Sequence, residues 1–200
     1  MIKIGITGLI GTGKTTISQI FEIFGLPVYN ADIQAKQIMH KNHKVKEKLI
    51  IEFGEDSYIN NQLNKEYISK IIFSDKTARK KINSIVHPAV IEDFKTWLIK
   101  KESENFKMIC IESALLYAAK IDKLLDYIIL VTSEEETLVN RIMKRDNISQ
   151  EQALQKIKAQ KSEIKQEYKA DFEIKNDSTD SIILQSINIL NKIKLAKNIK

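Results

Sequence analysis

Cysteine is nearly missing from this 200-residue chain, and proline, glycine and tryptophan are scarce: one Cys, two Pro, six Gly and one Trp. One thiol, Cys110 within an apolar run, excludes an internal disulfide and makes the cytoplasm the expected compartment. Neither proline-rich nor other low-complexity linkers interrupt the chain, and no internal repeat is present. No run approaches the ~18 consecutive apolar residues of a membrane span. The amino terminus also lacks the basic and apolar regions of a secretory signal. What remains, 43% hydrophobic and 29% charged residues, is ordinary for a globular α/β domain of ample core.

The few glycines are concentrated. Four of the six (Gly5, Gly8, Gly11, Gly13) fall in the opening M-I-K-I-G-I-T-G-L-I-G-T-G-K-T-T, Met1 to Thr16. Ile2, Ile4 and Ile6 alternate as in a strand. Gly8 to Thr15 matches G-x-x-x-x-G-K-[ST] at every fixed position, and Ile17, Ile20, Phe21 and Phe24 then predict one apolar helix face. The phosphate-loop motif requires this order of strand, loop and helix. Its glycines let successive N–H groups approach phosphate oxygens, and the helix adds its positive dipole end there. Lys14 is then expected at the β- and γ-phosphates and the Thr15 hydroxyl on Mg²⁺. A nucleoside triphosphate is the expected ligand.

After Gly25-Leu26-Pro27, Val28-Tyr29 predicts a second strand, with Asn30-Ala31-Asp32 at its carboxyl end, where ligands of open α/β sheets bind. Asp32 could accept or orient an acceptor's hydroxyl proton. Equally, Asn30 or Asp32 could simply cap the helix running through Ile33, Gln37 and Ile38.

Residues 42 to 106 read as largely helical, with Val45, Leu49, Ile50 and Phe53 periodic, a polar turn at Asn60-Asn61-Gln62, and Ile68, Ile71, Ile72 and Phe73 beyond it. Ser74-Asp75 is expected to begin a long basic helix, and His87-Pro88 to interrupt the region. Kinases of small nucleotides commonly hold the acceptor on such an insert; His87 is either a phosphate contact or a structural histidine.

Met108 to Ile111 is an apolar strand closed by Glu112, reminiscent of the acid that reaches Mg²⁺ through water in phosphate-loop enzymes. Tyr127 to Thr132 is a further buried strand of a parallel sheet. Ser133 and Glu134 to Glu136 start a helix carrying Arg141 and Arg145 on one face. Ser149 and Gln152 fit a capping box for a polar segment, 149–169, with apolar positions only at Ala153, Leu154, Ile157 and Ile164, read as a mobile lid whose arginine neighbours serve phosphoryl transfer when closed. Asp171 to Ile174 is the last strand. Asn176-Asp177-Ser178 turns into a helix with Ile182, Ile183, Ile187 and Leu190 inward.

Together these pieces resemble the dephospho-coenzyme A kinase family over essentially the whole chain. The matching stretches are Ile6 to Thr16, N-A-D-I-Q-A-K (Asn30 to Lys36), His87-Pro88, Arg141 with Arg145-Asp146, the Gln160 region, and A-D-F-E-I-K-N ending at Asn176. The phosphate loop by itself is shared by many unrelated enzymes; its combination with Asp32, the His-Pro pair and the arginine helix is far more specific.

The resemblance implies an α/β P-loop three-layer sandwich around a parallel sheet. Its core would be 1–41, 107–148 and 170–200, its helical substrate-binding insert 42–106 and its helical lid 149–169. It implies transfer of the ATP γ-phosphoryl to the ribose 3′-hydroxyl of dephospho-coenzyme A, with Mg²⁺. Asp32, Lys14 and Arg141 would be catalytic, Arg141 on the transferring phosphates. Gly8, Gly11, Thr12, Gly13, Lys14, Thr15, Thr16 and Asn176 would bind ATP, with Thr15 also on the metal. Thr7, Asp32, Lys36 and His87 would face the acceptor.

The chain departs from the family pattern at Asn30, where an acid is usual, and at Lys36, where an arginine would make a bidentate phosphate contact that lysine lacks. Its Ala114 to Ala118 also lacks the proline and glutamate of Pro-Leu-Leu-aromatic-Glu.

Other readings share parts of this pattern. Nucleoside monophosphate and shikimate-type kinases have the same loop and lid logic. A guanine-nucleotide switch is disfavoured, because Asn64-Lys65-Glu66-Tyr67 lacks the aspartate that reads guanine. The net charge of +6 points to a nucleic-acid-binding ATPase, but the lysines are scattered among glutamates as on solvated faces. Little nucleic-acid binding is expected at physiological salt, and a monomer or weak homo-oligomer is expected.

Overall fold

The computed structural model describes residues 1–74, 76–163, 169–177 and 180–198. Two compact units emerge, one of residues 1–29 and 101–200 and the other of residues 30–100. Strand β1 (Ile2–Gly8) leads through the glycine loop into α1 (Lys14–Ile23), and β2 (Val28–Asn30) follows. The first unit continues with β5 (Met108–Glu112), β6 (Tyr127–Thr132), α6 (Glu135–Asp146), α7 (Gln150–Glu163), β7 (Phe172–Lys175) and α8 (Ile182–Ala196). The sheet runs in the order β2-β5-β1-β6-β7, with β1 parallel to both β5 and β6, and β6 parallel to β7.

Alternation along β1 explains its central place. Ile4 and Ile6 are completely buried and meet Ile17 and Phe21 of α1, Cys110 of β5, Val131 of β6, Ile174 of β7, and Ile189 and Ile193 of α8 in one core. Burial pushes the Cys110 thiol well above its usual range, so it is an inert packing residue. On α8 the inward face is Ile182, Ser186, Ile189, Leu190 and Ile193, with Ile187 half-buried. The expected inward Ile183 is instead exposed, because the helix rotates to seat Ile189 and Ile193 on the core. Ser178, in the turn before α8, lies outside the described residues.

The second unit holds α2 (Ala31–Lys41), α3 (His43–Phe53), the strand pair β3 (Tyr58–Ile59) and β4 (Gln62–Leu63), α4 (Lys65–Ser74) and most of α5 (Lys76–Ser103). The polar turn is a hairpin: Asn60 and Asn61 both take positive φ, 48° and 67°, and Tyr58 pairs with Leu63. Such two-residue loops match the twist of the strands, and asparagine tolerates them. The Tyr58 hydroxyl donates to the Met39 carbonyl at 2.7 Å, and burial raises its pKa to about 12.

The expected break at His87-Pro88 does not occur, for α5 runs straight through Pro88. Ala78, Ile82, Val86, Val90 and Phe94, spaced by four, are all buried. Burying the four large ones contributes about 6–12 kcal/mol, against about 3 lost to an internal proline. Pro88 lies on the exposed face, where water can satisfy the carbonyl it leaves unbonded. Asp75 lies outside the described residues, as do the side chains of Ile72 and Phe73.

Candidate active site

Gly8 and Gly13 show why the loop needs glycine. A Cβ on Gly8 would come 2.3 Å from the Val131 carbonyl oxygen, and Gly13 sits at φ +87° as the residue before α1. Between them the loop folds on itself: the Thr12 amide and hydroxyl both donate to the Leu9 carbonyl, at 3.3 and 2.9 Å. The Lys14 ammonium, buried, donates to the carbonyls of Gly8 and Leu9, both at 3.1 Å. That places a cation within the loop's own concavity, beside the first N–H groups of α1, where an anion is stabilised.

Two residues of α1's first turn face outward. Thr15 and Thr16 are both exposed, and the Thr15 hydroxyl donates to Glu112 Oε1 at 2.8 Å. Glu112 is only 4% exposed at the carboxyl end of β5, which β1 holds in register through the Ile6–Glu112 pair. The sequence marked Glu112 as an acid closing a strand; only the parallel pairing of β1 and β5 puts it against Thr15. An all-oxygen pair of hydroxyl and carboxylate is the donor chemistry Mg²⁺ prefers.

On the other side of the loop, Arg141 of α6 and Asn176 after β7 form one network. Asn176 Nδ2 donates to the Thr12 carbonyl at 2.8 Å. Arg141 donates to the Asn176 carbonyl at 2.9 Å, to Ser133 Oγ at 3.2 Å and to the Gly11 carbonyl at 3.4 Å, while Ser133 donates to the Asn176 carbonyl at 2.9 Å. Ser133, read in the sequence only as a helix start, is thus part of the site. Arg145 turns away into a contact with its neighbour Asp146 at 2.8 Å, and Lys156 of α7 adds a second at 2.7 Å. The hydrogen bonds from Arg145 and Lys156 hold the Asp146 carboxyl well below the usual carboxylate range.

The capping box at the start of α7 is formed, Ser149 N donating to Gln152 Oε1 at 3.0 Å and Gln152 N to Ser149 Oγ at 3.3 Å. Ala153 and Ile157 are buried against Leu138, Val139 and Ile142 of α6, whereas Leu154 faces out. Ile164, with the rest of 164–168, lies outside the described residues.

Thr7 is fully buried in mid-sheet, its hydroxyl lacking a hydrogen-bond partner among the described residues. Gly8, Gly11, Thr12, Gly13, Lys14, Thr15, Thr16, Arg141 and Asn176 therefore come together around the loop. Asp32, Lys36 and His87 belong to the second unit. There Asn30 is the cap of α2, its Oδ1 accepting from the Ile33 amide at 2.9 Å, which leaves Asp32 in the helix's first turn. Asp32 and Lys36, four residues apart, are both exposed on that helix, and His87 is half-buried on α5.

A sequence model described as dephospho-CoA kinase matches residues 2–181 of the chain. The dephospho-CoA kinase of Bacteroides fragilis is 34% identical over 189 residues, covering 94% of this chain and 91% of its own. That of Fusobacterium nucleatum is 38% identical over 176 residues, covering 88% and 89%. Among solved structures, TT1252 of Thermus thermophilus superposes with a TM-score of 0.73 at 26% identity, covering 98% of this chain and 97% of its own.

Proposed function

The chain belongs to the dephospho-CoA kinase family, and from that premise we propose how its own residues divide the reaction. It is an ATP-using transferase that phosphorylates an alcohol, the ribose 3′-hydroxyl of dephospho-coenzyme A, in the last step of coenzyme A biosynthesis. The observation that carries this reading is the loop itself: the buried Lys14 ammonium, the amides of α1's first turn and the Thr15–Glu112 pair converge on one concavity.

The loop amides and Lys14 hold the phosphates and neutralise the charge that shifts to the β–γ bridging oxygen as the terminal P–O bond breaks. Arg141 adds a positive charge at the Gly11 rim, and Asn176 fixes the loop backbone beneath the nucleotide. Asp32 takes the proton of the ribose hydroxyl as its oxygen bonds to the γ-phosphorus, ADP being the leaving group; its exposed place in α2's first turn supports that role. Lys36, one turn on, and His87 contact the acceptor, which residues 30–100 carry. Thr15 and Glu112 suit Mg²⁺, which when bound would screen the β- and γ-phosphate charge. Closure of α7 over the loop would exclude water from the phosphates.

Among the described residues no helix is long and apolar enough to cross a membrane. A cytoplasmic location and a monomeric or weakly oligomeric state, without nucleic acid, complete the proposal.

A coupled ADP-release assay offering dephospho-coenzyme A, adenosine and shikimate tests it. Turnover with dephospho-coenzyme A and little with the others is expected. Asp32→Asn should lower kcat by about 10²–10⁴ while ATP still binds. Near-normal turnover of that variant would leave Asp32 as a helix-end charge only.

A further inference from the structure

The amide of Ile10, on the crest of the phosphate loop, is occupied by a side chain 150 residues away. It donates to Gln160 Oε1 at 2.6 Å, a distance at the short end for an amide and carbonyl pair. Gln160 stands near the end of α7 and is half-buried.

The same helix is tied down independently. Ala153 and Ile157 bury against α6 in a cluster on which Leu9 and Ile10 of the loop also pack, and Lys156 and Lys161 pair with Asp146 and Glu135 of α6 at 2.7 Å each. Leu9 and Ile10 are thus the joint between loop and lid: their side chains share the apolar cluster, and the Ile10 backbone is pinned by Gln160. Neither docking nor helix stability requires a glutamine at 160, since the ion pairs and the buried Ala153 and Ile157 supply those. What Gln160 adds, among the described residues, is a bond from α7 to the Ile10 amide. The flanking carbonyls of Leu9 and Gly11 are held from Lys14, Thr12 and Arg141, and the Thr12 carbonyl from Asn176, so without Gln160 the Ile10 amide between them would lose its side-chain partner.

We propose that Gln160 is a positioning residue for ATP: it fixes the crest of the phosphate loop and so couples α7 to the binding of the triphosphate. The inference rests on the reading that this loop binds ATP. Its effect runs through the loop, so it concerns nucleotide affinity, not acceptor affinity. A net hydrogen-bond contribution converts to about a three- to tenfold change.

Amide hydrogen exchange at Ile10, followed by NMR without nucleotide, and steady-state kinetics test it together on the full chain. Gln160→Ala is expected to speed Ile10 exchange and raise KM for ATP, each about three- to tenfold, with kcat and KM for dephospho-coenzyme A within about twofold. Gln160→Glu keeps the acceptor, so Ile10 protection should return. Its negative charge beside the triphosphate should nevertheless keep KM for ATP at least as high as in the alanine variant. The exchange measurement uses no substrate, so it separates a failure of this coupling from a failure of the kinase reading. Unchanged Ile10 exchange in Gln160→Ala would overturn the proposal. So would a fall in melting temperature with both KM values moving alike, since that is the mark of a helix merely undocked.

Discussion

Replacing Gly13 by alanine strikes the loop where backbone conformation and side-chain space both forbid a Cβ. The residue holds φ +87°, and the added carbon would lie 2.3 Å from Asn176 Nδ2 and 4.0 Å from Arg141 Nη1. Keeping alanine in the left-handed region costs about 1–2 kcal/mol. The obstructing atom is the tip of a side chain, so Asn176 yields before the backbone does. Its 2.8 Å bond to the Thr12 carbonyl then breaks, a further loss of about 0.5–1.5 kcal/mol. Urea unfolding should therefore show a deficit of about 1.5–3.5 kcal/mol. Because the same movement displaces the amides that hold phosphate, kcat/KM for ATP should fall about 100-fold or more. A double-mutant cycle isolates the collision. Asn176→Ala loses the Thr12 bond by itself, so in the double variant that bond is lost only once. The double variant should be milder than the sum of the singles by about 0.5–1.5 kcal/mol. Additivity within about 0.3 kcal/mol would refute the claim that Asn176 is what a Cβ at position 13 displaces.

Pro88→Ala restores an amide to the exposed face of α5 and should stabilise the protein by about 1–2 kcal/mol in a urea melt; a loss of stability would show that the ring itself packs usefully. Asp146 titrates below its unfolded value because Arg145 and Lys156 bond its charged form, so its contribution is complete above about pH 4 and fades as the pH falls towards the lowered pKa. Asp146→Asn should accordingly cost about 0.5–1 kcal/mol at neutral pH, with the deficit shrinking below about pH 4; a deficit constant across acid melts would exclude the ion pairs as its source.

Much of the molecule was legible in one dimension because its signals are local. Gly8 to Thr15 specifies a loop whose geometry depends on glycine at given steps, and the alternation of Ile2, Ile4 and Ile6 places the strand that must precede it. Ser149 and Gln152 cap α7 through neighbours three residues apart, and Met108 to Glu112 and Tyr127 to Thr132 are apolar enough to be read as interior strands. Two-residue strands such as β3 and β4 carry no periodicity to detect, so their hairpin passed as a turn. Pro88 misled for a different reason: a local penalty was outweighed by a buried stripe whose partners are distant in sequence.

The sequence by itself thus determined that a phosphate-binding loop stands between a buried strand and a helix, since that rests on residues within a few positions of one another. Tertiary structure alone decided that Glu112 meets Thr15, that Arg141 and Ser133 converge on Asn176, and that Gln160 reaches Ile10. Those contacts join residues from 35 to 150 positions apart. They depend on parallel strands ending at one edge and on helices packed beside them, which no local pattern encodes.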